Sequence, residues 1–420
     1  MKEPGIEIVV ADDAIERLVA WAGAQGWSRV LVVADRNTFD AAGLRVVARL
    51  QDAGIGADTL VYGQRDGLRA GESEVARVQR CLRAGLPPIA VGSGVITDIV
   101  RYAADSVDRD FASVPTAASM DGYASSVAAL QLDGVKVTFS ARAPLAIFAD
   151  PRIAAAAPCE LTRSGIGDLL AKASARVDWL ASHLLYGEPF SADVAERVLA
   201  PMSFAVANVA DTLAGDVEAV TGLLTGLIQS GIAMALAGSS RPASGCEHHA
   251  SHFWDLLAAR GLRPHHPHGL QVGYATRFAM RLQRFAFDGG VPSLREPVAP
   301  ADPLGPGPRE WLGEPTPEII AAVHEKDRFT ADLTHWPKDD AGWESVRGRI
   351  APALELFADV ESALTRAGIP AGPGYLDIDE RMLRATFHYA SRLRARYTVI
   401  DFLEGQGVLD EAIAAMIDAA

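Results

Sequence analysis

A chain of 420 residues exceeds what one hydrophobic core usually fills, so two domains are expected. Hydrophobic residues make up 49% of it and charged residues 22%, which excludes a disordered chain and describes a globular one. The formal charge of −14 argues against a nucleic-acid backbone or an anionic membrane as the main partner, and an anionic substrate would need a local cationic patch or a metal.

The N-terminal stretch "MKEPGIEIVVADDAIERLVAWAG" carries acidic residues inside its apolar run and no small-residue cleavage pattern, so it does not read as a signal peptide. Three cysteines without CxxC spacing give neither a disulfide framework nor a thiolate cage, and a cytoplasmic setting is expected. From there to about residue 155, β-rich runs alternate with amphipathic stretches. "SRVLVVADRNT" (28–38), "GADTLVYG" (56–63), "PPIAVGSG" (87–94) and "DFASVPTAAS" (110–119) are apolar without strict alternation, the mark of strands buried on both faces. "AAGLRVVARLQDAG" and "GESEVARVQRCLRAG" lie between them with helical spacing. This order predicts an α/β, Rossmann-like domain with a parallel sheet over residues 1–155, closed by a hairpin-like pair, "VAALQLDG" and "VKVTFSARAP".

Residues 156–420 lose the β-rich runs and read as an all-α domain. The apolar run "LLTGLIQSGIAMALAG" is too short to span a bilayer and reads as a buried helix. Between Pro292 and Pro317 fall eight of the 24 prolines, which predicts a surface excursion at about 290–318 without regular elements.

In "AVGSGVITDIVRYAAD", Gly92, Ser93 and Gly94 stand between a strand and a helix, where main-chain N–H groups can hold a pyrophosphate; a plain turn fits the same residues. Asp98, one turn in, could support the helix start. Asp35 ends the "VLVVAD" strand, where a carboxylate accepts from an adenine ribose and repels a 2′-phosphate, favouring NAD over NADP. Thr116, Ser119 and Ser125, with Asp121, fall at the expected C-terminal edge of the sheet; the hydroxyls suit a nicotinamide pocket and equally suit turn and cap roles.

Six of the ten histidines crowd into "GCEHHASHFWDLLAARGLRPHHPHGL". His248 and His252 are four apart and share a helical face, His249 points elsewhere, and His265, His266 and His268 follow a Gly-Leu-Arg-Pro break. Asp168, in "SGIGDLLAKASARVDW", is expected to be exposed by a glycine turn at a helix start. Two imidazoles and a carboxylate with one open position suit a catalytic site for zinc or a similar divalent ion, and any single one of these histidines equally suits a surface or capping role. The glutamate precedes both histidines, so this is not the HExxH pattern of a protease.

"GSGVITDI", "SVPTAASMDGYASS", "SGIGDLLAKASARVDW", "SSRPASGCEHHASHFW" and "HGLQVGYAT", in that order, resemble the sn-glycerol-1-phosphate dehydrogenases, especially the bacterial arabinose-operon branch, over about residues 28–280. That group belongs with the glycerol dehydrogenases, iron-containing alcohol dehydrogenases and dehydroquinate synthases. The resemblance implies a dehydroquinate synthase-like fold and reversible, NAD(P)H-linked reduction of dihydroxyacetone phosphate by a homodimer or larger homo-oligomer. It implies Asp168, His248 and His268 as ligands of one divalent ion (zinc, nickel or iron), and His252 and Asp121 on the substrate side. Asp35, the stretch Gly92, Ser93, Gly94, Val95, Ile96, Thr97 and Asp98, then Thr116, Ala117, Ala118, Ser119 and Ser125 correspond to nicotinamide-dinucleotide contacts. Lys172 and Arg241 are candidates for meeting the phosphate, and His249, His265 and His266 match no functional position. Cys246 stands where serine is usual and Leu270 where an acidic residue is common, departures that bear on the substrate. A cyclising lyase of the dehydroquinate synthase type, or a dehydrogenase for an unphosphorylated polyol, is the alternative.

Overall fold

The strand Arg29–Asp35 shows why the first half of the chain builds a two-faced sheet. Val30, Val32 and Ala34 are buried in one core with helices Ala14–Ala24 and Leu44–Asp52, while Leu31 and Val33 are buried in the other with helices Glu72–Leu82 and Gly94–Asp105. Successive side chains alternate between faces, so a strand covered on both sides has no polar positions to show. The computed structural model describes residues 5–63, 67–83, 85–132 and 135–419.

The described strands are β1 (Glu7–Val10), β2 (Arg29–Asp35), β3 (Gly56–Tyr62), β4 (Pro88–Gly92), β5 (Ala112–Pro115), β6 (Val127–Leu132), β7 (Val135–Ser140) and β8 (Ala146–Ala149). Six form one parallel sheet in the order β1-β8-β5-β4-β2-β3, and β6 pairs with β7 antiparallel as a separate hairpin whose turn lies outside the described residues. The order reverses between β2 and β4, and the carboxyl ends flanking such a reversal are where open α/β sheets take ligands. The four strands expected from sequence are β2 to β5; β1 and β8, four residues each, join them.

The chain parts into two compact units. One holds Met1–Leu169 with Ala200–Ser239, the other Leu170–Leu199 with Ser240–Ala420. The division therefore differs from a single cut at residue 155, because the helix Val217–Ala237 packs on the strand-bearing unit: a Cβ on its Gly231 would lie 2.7 Å from the Asp121 carbonyl oxygen. That helix runs 21 residues, capped by Asp216, whose side chain accepts from the Ala219 N–H, and ended by Gly238 at φ 64°. It is long and apolar enough to cross a membrane, yet 67% of its apolar window is buried, as in a core helix.

The second unit is helical, with no strand among the described residues. Helix His268–Phe287 is largely buried, and Cys246–Ala259 packs on it. The proline-rich stretch is not free of regular structure: Pro306 opens helix Pro306–Leu312 and Pro317 opens Pro317–Lys326, where Thr316 caps the Ile319 N–H. Proline in a first turn removes no helical hydrogen bond, so these prolines start helices rather than prevent them.

Candidate active site

In the strand-bearing unit, β4 runs directly into helix Gly94–Asp105. Gly92 permits the junction, because a Cβ there would come 2.7 Å from the Ile96 Cβ. Ser93 occupies the N-cap position but makes no side-chain cap; its hydroxyl lies 2.7 Å from that of Ser119. The first N–H groups of the helix are thus left for a ligand, the arrangement that receives phosphates. Val95 is exposed, whereas Ile96 and Thr97 are buried, and Thr97 donates to the Ser93 carbonyl at 2.9 Å. Asp98 pairs with Arg101 at 2.9 Å, and the buried Arg101 also donates to the carbonyls of Gly122, Tyr123 and Val127, which pins the loop after β5.

Register sets Gly92 opposite Pro115, so Thr116, Ala117, Ala118 and Ser119 leave β5 beside that junction. All four are buried, and the Tyr123 hydroxyl donates to the Ala117 carbonyl at 2.7 Å. Ser125 donates to the carbonyls of Gly122 and Val127, a turn role. Asp35 ends β2 and serves as a cap: Oδ1 accepts from the Thr38 N–H at 2.8 Å, and the Thr38 hydroxyl accepts from the Asp35 N–H at 3.1 Å.

Asp168 differs from the sequence expectation. It lies inside helix Cys159–Leu170, fully buried, with no glycine turn before it. Gly165 serves close packing instead, since a Cβ there would sit 1.9 Å from the Ala118 carbonyl oxygen. Asp168 Oδ2 accepts the Asp121 N–H at 3.0 Å, Ser164 donates to the Ser119 carbonyl at 3.1 Å, and Asp121 Oδ2 accepts from Ser230 at 3.0 Å.

In the helical unit, His248 and His252 lie on helix Cys246–Ala259 and His268 opens His268–Phe287. The His268 ring centroid is 5.3 Å from that of His248 and 5.9 Å from that of His252. His248 Nδ1 lies 2.9 Å from Glu247 Oε1, and His268 Nδ1 lies 3.1 Å from the Ser251 hydroxyl. Partners on Nδ1 hold the rings of both, as outer partners commonly do for metal-bound histidines. Burial raises the Glu247 carboxyl, but His248, Ser174 and the Gly245 N–H outweigh it and leave it below its usual range.

Behind Glu247, the buried Asp178 accepts from the Cys246 and Val399 N–H groups and from Gln283. Burial and the neighbouring Glu247 push the Asp178 carboxyl up to about 6. Asp178, Cys246 and Glu247 bring ligand-type atoms within 4.8 Å of one another, but their oxygens already serve this hydrogen-bond network, which supports His248. His265 lies 3.8 Å from Asp255 and His266 2.9 Å from Asp377. Lys172 is buried and donates to the Ala243 carbonyl at 3.1 Å, and Arg241 is engaged by Glu188 and the Tyr397 carbonyl. Ser251, Glu247 and Ser230 act as supports that no sequence motif marks, as does Arg394, whose Nη2 lies 3.4 Å from His252 Nε2. The glutamate directly before His248 and the alternating arginines of "RLRAR" were the available signals.

Residues 9–158 match the family described as iron-containing alcohol dehydrogenase. The glycerol-1-phosphate dehydrogenase (NAD(P)+) of Geobacillus thermodenitrificans is 35% identical over 402 residues, covering 94% of this chain and 91% of the relative. The protein of the same name from Halalkalibacterium halodurans is 34% identical over 281 residues, 66% of this chain and 70% of its own. Among solved structures, the iron-containing alcohol dehydrogenase of Thermococcus thioreducens superposes with a TM-score of 0.65 at 15% identity over 100% of both chains, a likeness of fold.

Proposed function

The chain belongs to the glycerol-1-phosphate dehydrogenase (NAD(P)+) family, and from that premise we propose that it reduces dihydroxyacetone phosphate to sn-glycerol 1-phosphate, reversibly, with NADH or NADPH. It is an oxidoreductase, and its setting is proposed to be the cytoplasm, as a homodimer or larger assembly. The observation that carries the reading is the pair His248 and His268, each oriented through Nδ1 by a neighbouring polar side chain.

This donor set fits a divalent ion. Asp168, His248 and His268 are proposed to hold it, and two imidazoles with one carboxylate suit zinc, nickel or iron. When bound, the ion supplies Lewis-acid polarisation of the ketone, and the reduced nicotinamide supplies the hydride. The chain's own residues do the rest. The uncapped helix start after Ser93 receives the pyrophosphate, and Asp35 takes the adenosine ribose. Asp121, steadied by Ser230, accepts from a substrate hydroxyl. His252, whose Nε2 lies 3.4 Å from Arg394 Nη2, is proposed to relay a solvent proton to the product oxygen, taking one up as it gives one, with a bound water as the other route. The dinucleotide contacts assigned to Thr116, Ala117, Ala118, Ser119 and Ser125, and substrate contact by Lys172, belong to the same proposal.

The test is NADH oxidation with dihydroxyacetone phosphate, repeated on metal-stripped protein with each ion restored. Full activity of stripped protein would refute the metal assignment, and turnover of the phosphate ester without net NADH consumption would refute the reductase.

A further inference from the structure

His249 is a buried histidine without an obvious task. It is 1% exposed, and neither ring nitrogen has a hydrogen-bond partner among the described residues. A buried imidazole with both nitrogens unmet is costly unless a ligand meets them. The helix that carries it packs on the short helix Ala390–Leu393, which leads into Arg394 and Arg396, and the charges of these two, Lys326 and Arg241 reach the ring. Two of those cations have acidic partners, Lys326 with Asp401 and Arg241 with Glu188. Arg396 has none among the described residues: its guanidinium donates to the Ser244 carbonyl at 2.7 Å and the Ser240 hydroxyl at 2.6 Å, both neutral.

Arg394 and Arg396 are two apart in the segment that leaves the short helix Ala390–Leu393, and Arg394 is extended at φ −143°, ψ 144°. Arg394 reaches His252, three residues after His249 on helix Cys246–Ala259, and Arg396 reaches Ser244 just before that helix starts, so the two guanidinium groups bracket the turn that carries His249. Like charges so placed call for an anion, and planar forks match the oxygens of a phosphate. Arg394 also touches His252, so the cationic patch adjoins the histidine proposed to face substrate.

We propose that Arg396, Arg394 and His249 form an oxyanion subsite that takes the phosphate of the substrate. This rests on the reading of the protein as a ketone-phosphate reductase, and it gives His249 a role that its helical phase alone denied it. The subsite selects phosphorylated ketones and sets the distance from the phosphate to the reacting carbon.

The experiment compares the full metal-loaded chain with Arg396→Gln, Arg394→Gln and Arg396→Lys. Inorganic phosphate is the probe, by calorimetric titration and as a competitor of dihydroxyacetone phosphate. Either glutamine variant is expected to weaken phosphate binding about 10- to 100-fold, as loss of a charge-assisted hydrogen bond does. The ratio of kcat/KM for dihydroxyacetone phosphate over dihydroxyacetone should fall by a similar factor, with Arg396→Lys in between. Equal losses on both ketones, or unchanged phosphate binding in both glutamine variants, would overturn the subsite while leaving the reductase standing. Phosphate binding that is lost in the variants, in a protein that reduces no ketone phosphate, would uphold the subsite and refute the reductase.

Discussion

The main-chain N–H of Asp121 donates to Asp168 Oδ2 at 3.0 Å, so the loop after β5 and the helix carrying Asp168 are held by the very carboxylate proposed as a metal ligand. Ser164 reinforces the tie through the Ser119 carbonyl. Asp168→Asn keeps an oxygen to accept from Asp121 but loses the negative charge. It is expected to fold normally, with metal content and kcat/KM each down by at least about 100-fold, because a neutral amide is a poor ligand for a divalent ion. Metal analysis by mass spectrometry beside circular dichroism checks both halves; retained metal would sink the assignment.

Gly165 offers a test of the packing that places Asp168. Gly165→Ala would push a methyl into the Ala118 carbonyl oxygen, 1.9 Å away. A main-chain neighbour cannot swing aside as a flexible side chain can, so the destabilisation should reach about 3 kcal/mol, the upper range for overpacking. Denaturant unfolding measures it. A loss below about 0.5 kcal/mol would mean that the helix stands further from the loop than the geometry implies.

The contrast between these residues and the strands marks what a sequence can reveal. β2 to β5 were legible because two-sided burial removes polar residues, whereas β1 and β8 are too short for four residues to carry a pattern. The glycines of "SGIGD" read as a turn, since sequence does not distinguish a glycine needed for its backbone freedom from one needed for lack of a side chain. In sequence Pro306 and Pro317 look like breakers, and position in the first turn, visible only in three dimensions, reverses that meaning. Candidate histidines stood out by density and phase. Their supports did not: Ser251 meets His268 across 17 residues, and Glu247 meets Ser174 across 73.

Ser251 gives the sharpest test of such a support. Ser251→Ala removes the hydroxyl 3.1 Å from His268 Nδ1 and leaves the proposed ligand atom untouched. Metal affinity should fall about 10- to 100-fold, the usual effect of losing an outer partner of a metal-bound histidine. Turnover at saturating metal should recover most of the wild-type value. The same logic gives the acid limit: protons compete with the ion for the imidazole nitrogens, so affinity should fall as the solution is acidified, and fall further in the variant. Competition with a chromogenic chelator across pH reads both effects, and identical curves for the two proteins would rule out a supporting role.

Asp35 combines two roles that a single substitution can separate. As a cap it accepts the Thr38 N–H at 2.8 Å; as an anion at the end of β2 it is proposed to accept from the adenosine ribose and repel a 2′-phosphate. Asparagine caps helices about as well as aspartate, so Asp35→Asn should change unfolding free energy by less than about 0.5 kcal/mol. Alanine loses the cap as well and should cost about 1 kcal/mol. Both variants lose the charge, and both should raise kcat/KM for NADPH relative to NADH by about tenfold, the effect of about 1.4 kcal/mol. A shift in Asp35→Ala alone would attribute the preference to the shape of the capped turn, and no shift in either would remove Asp35 from the nucleotide site.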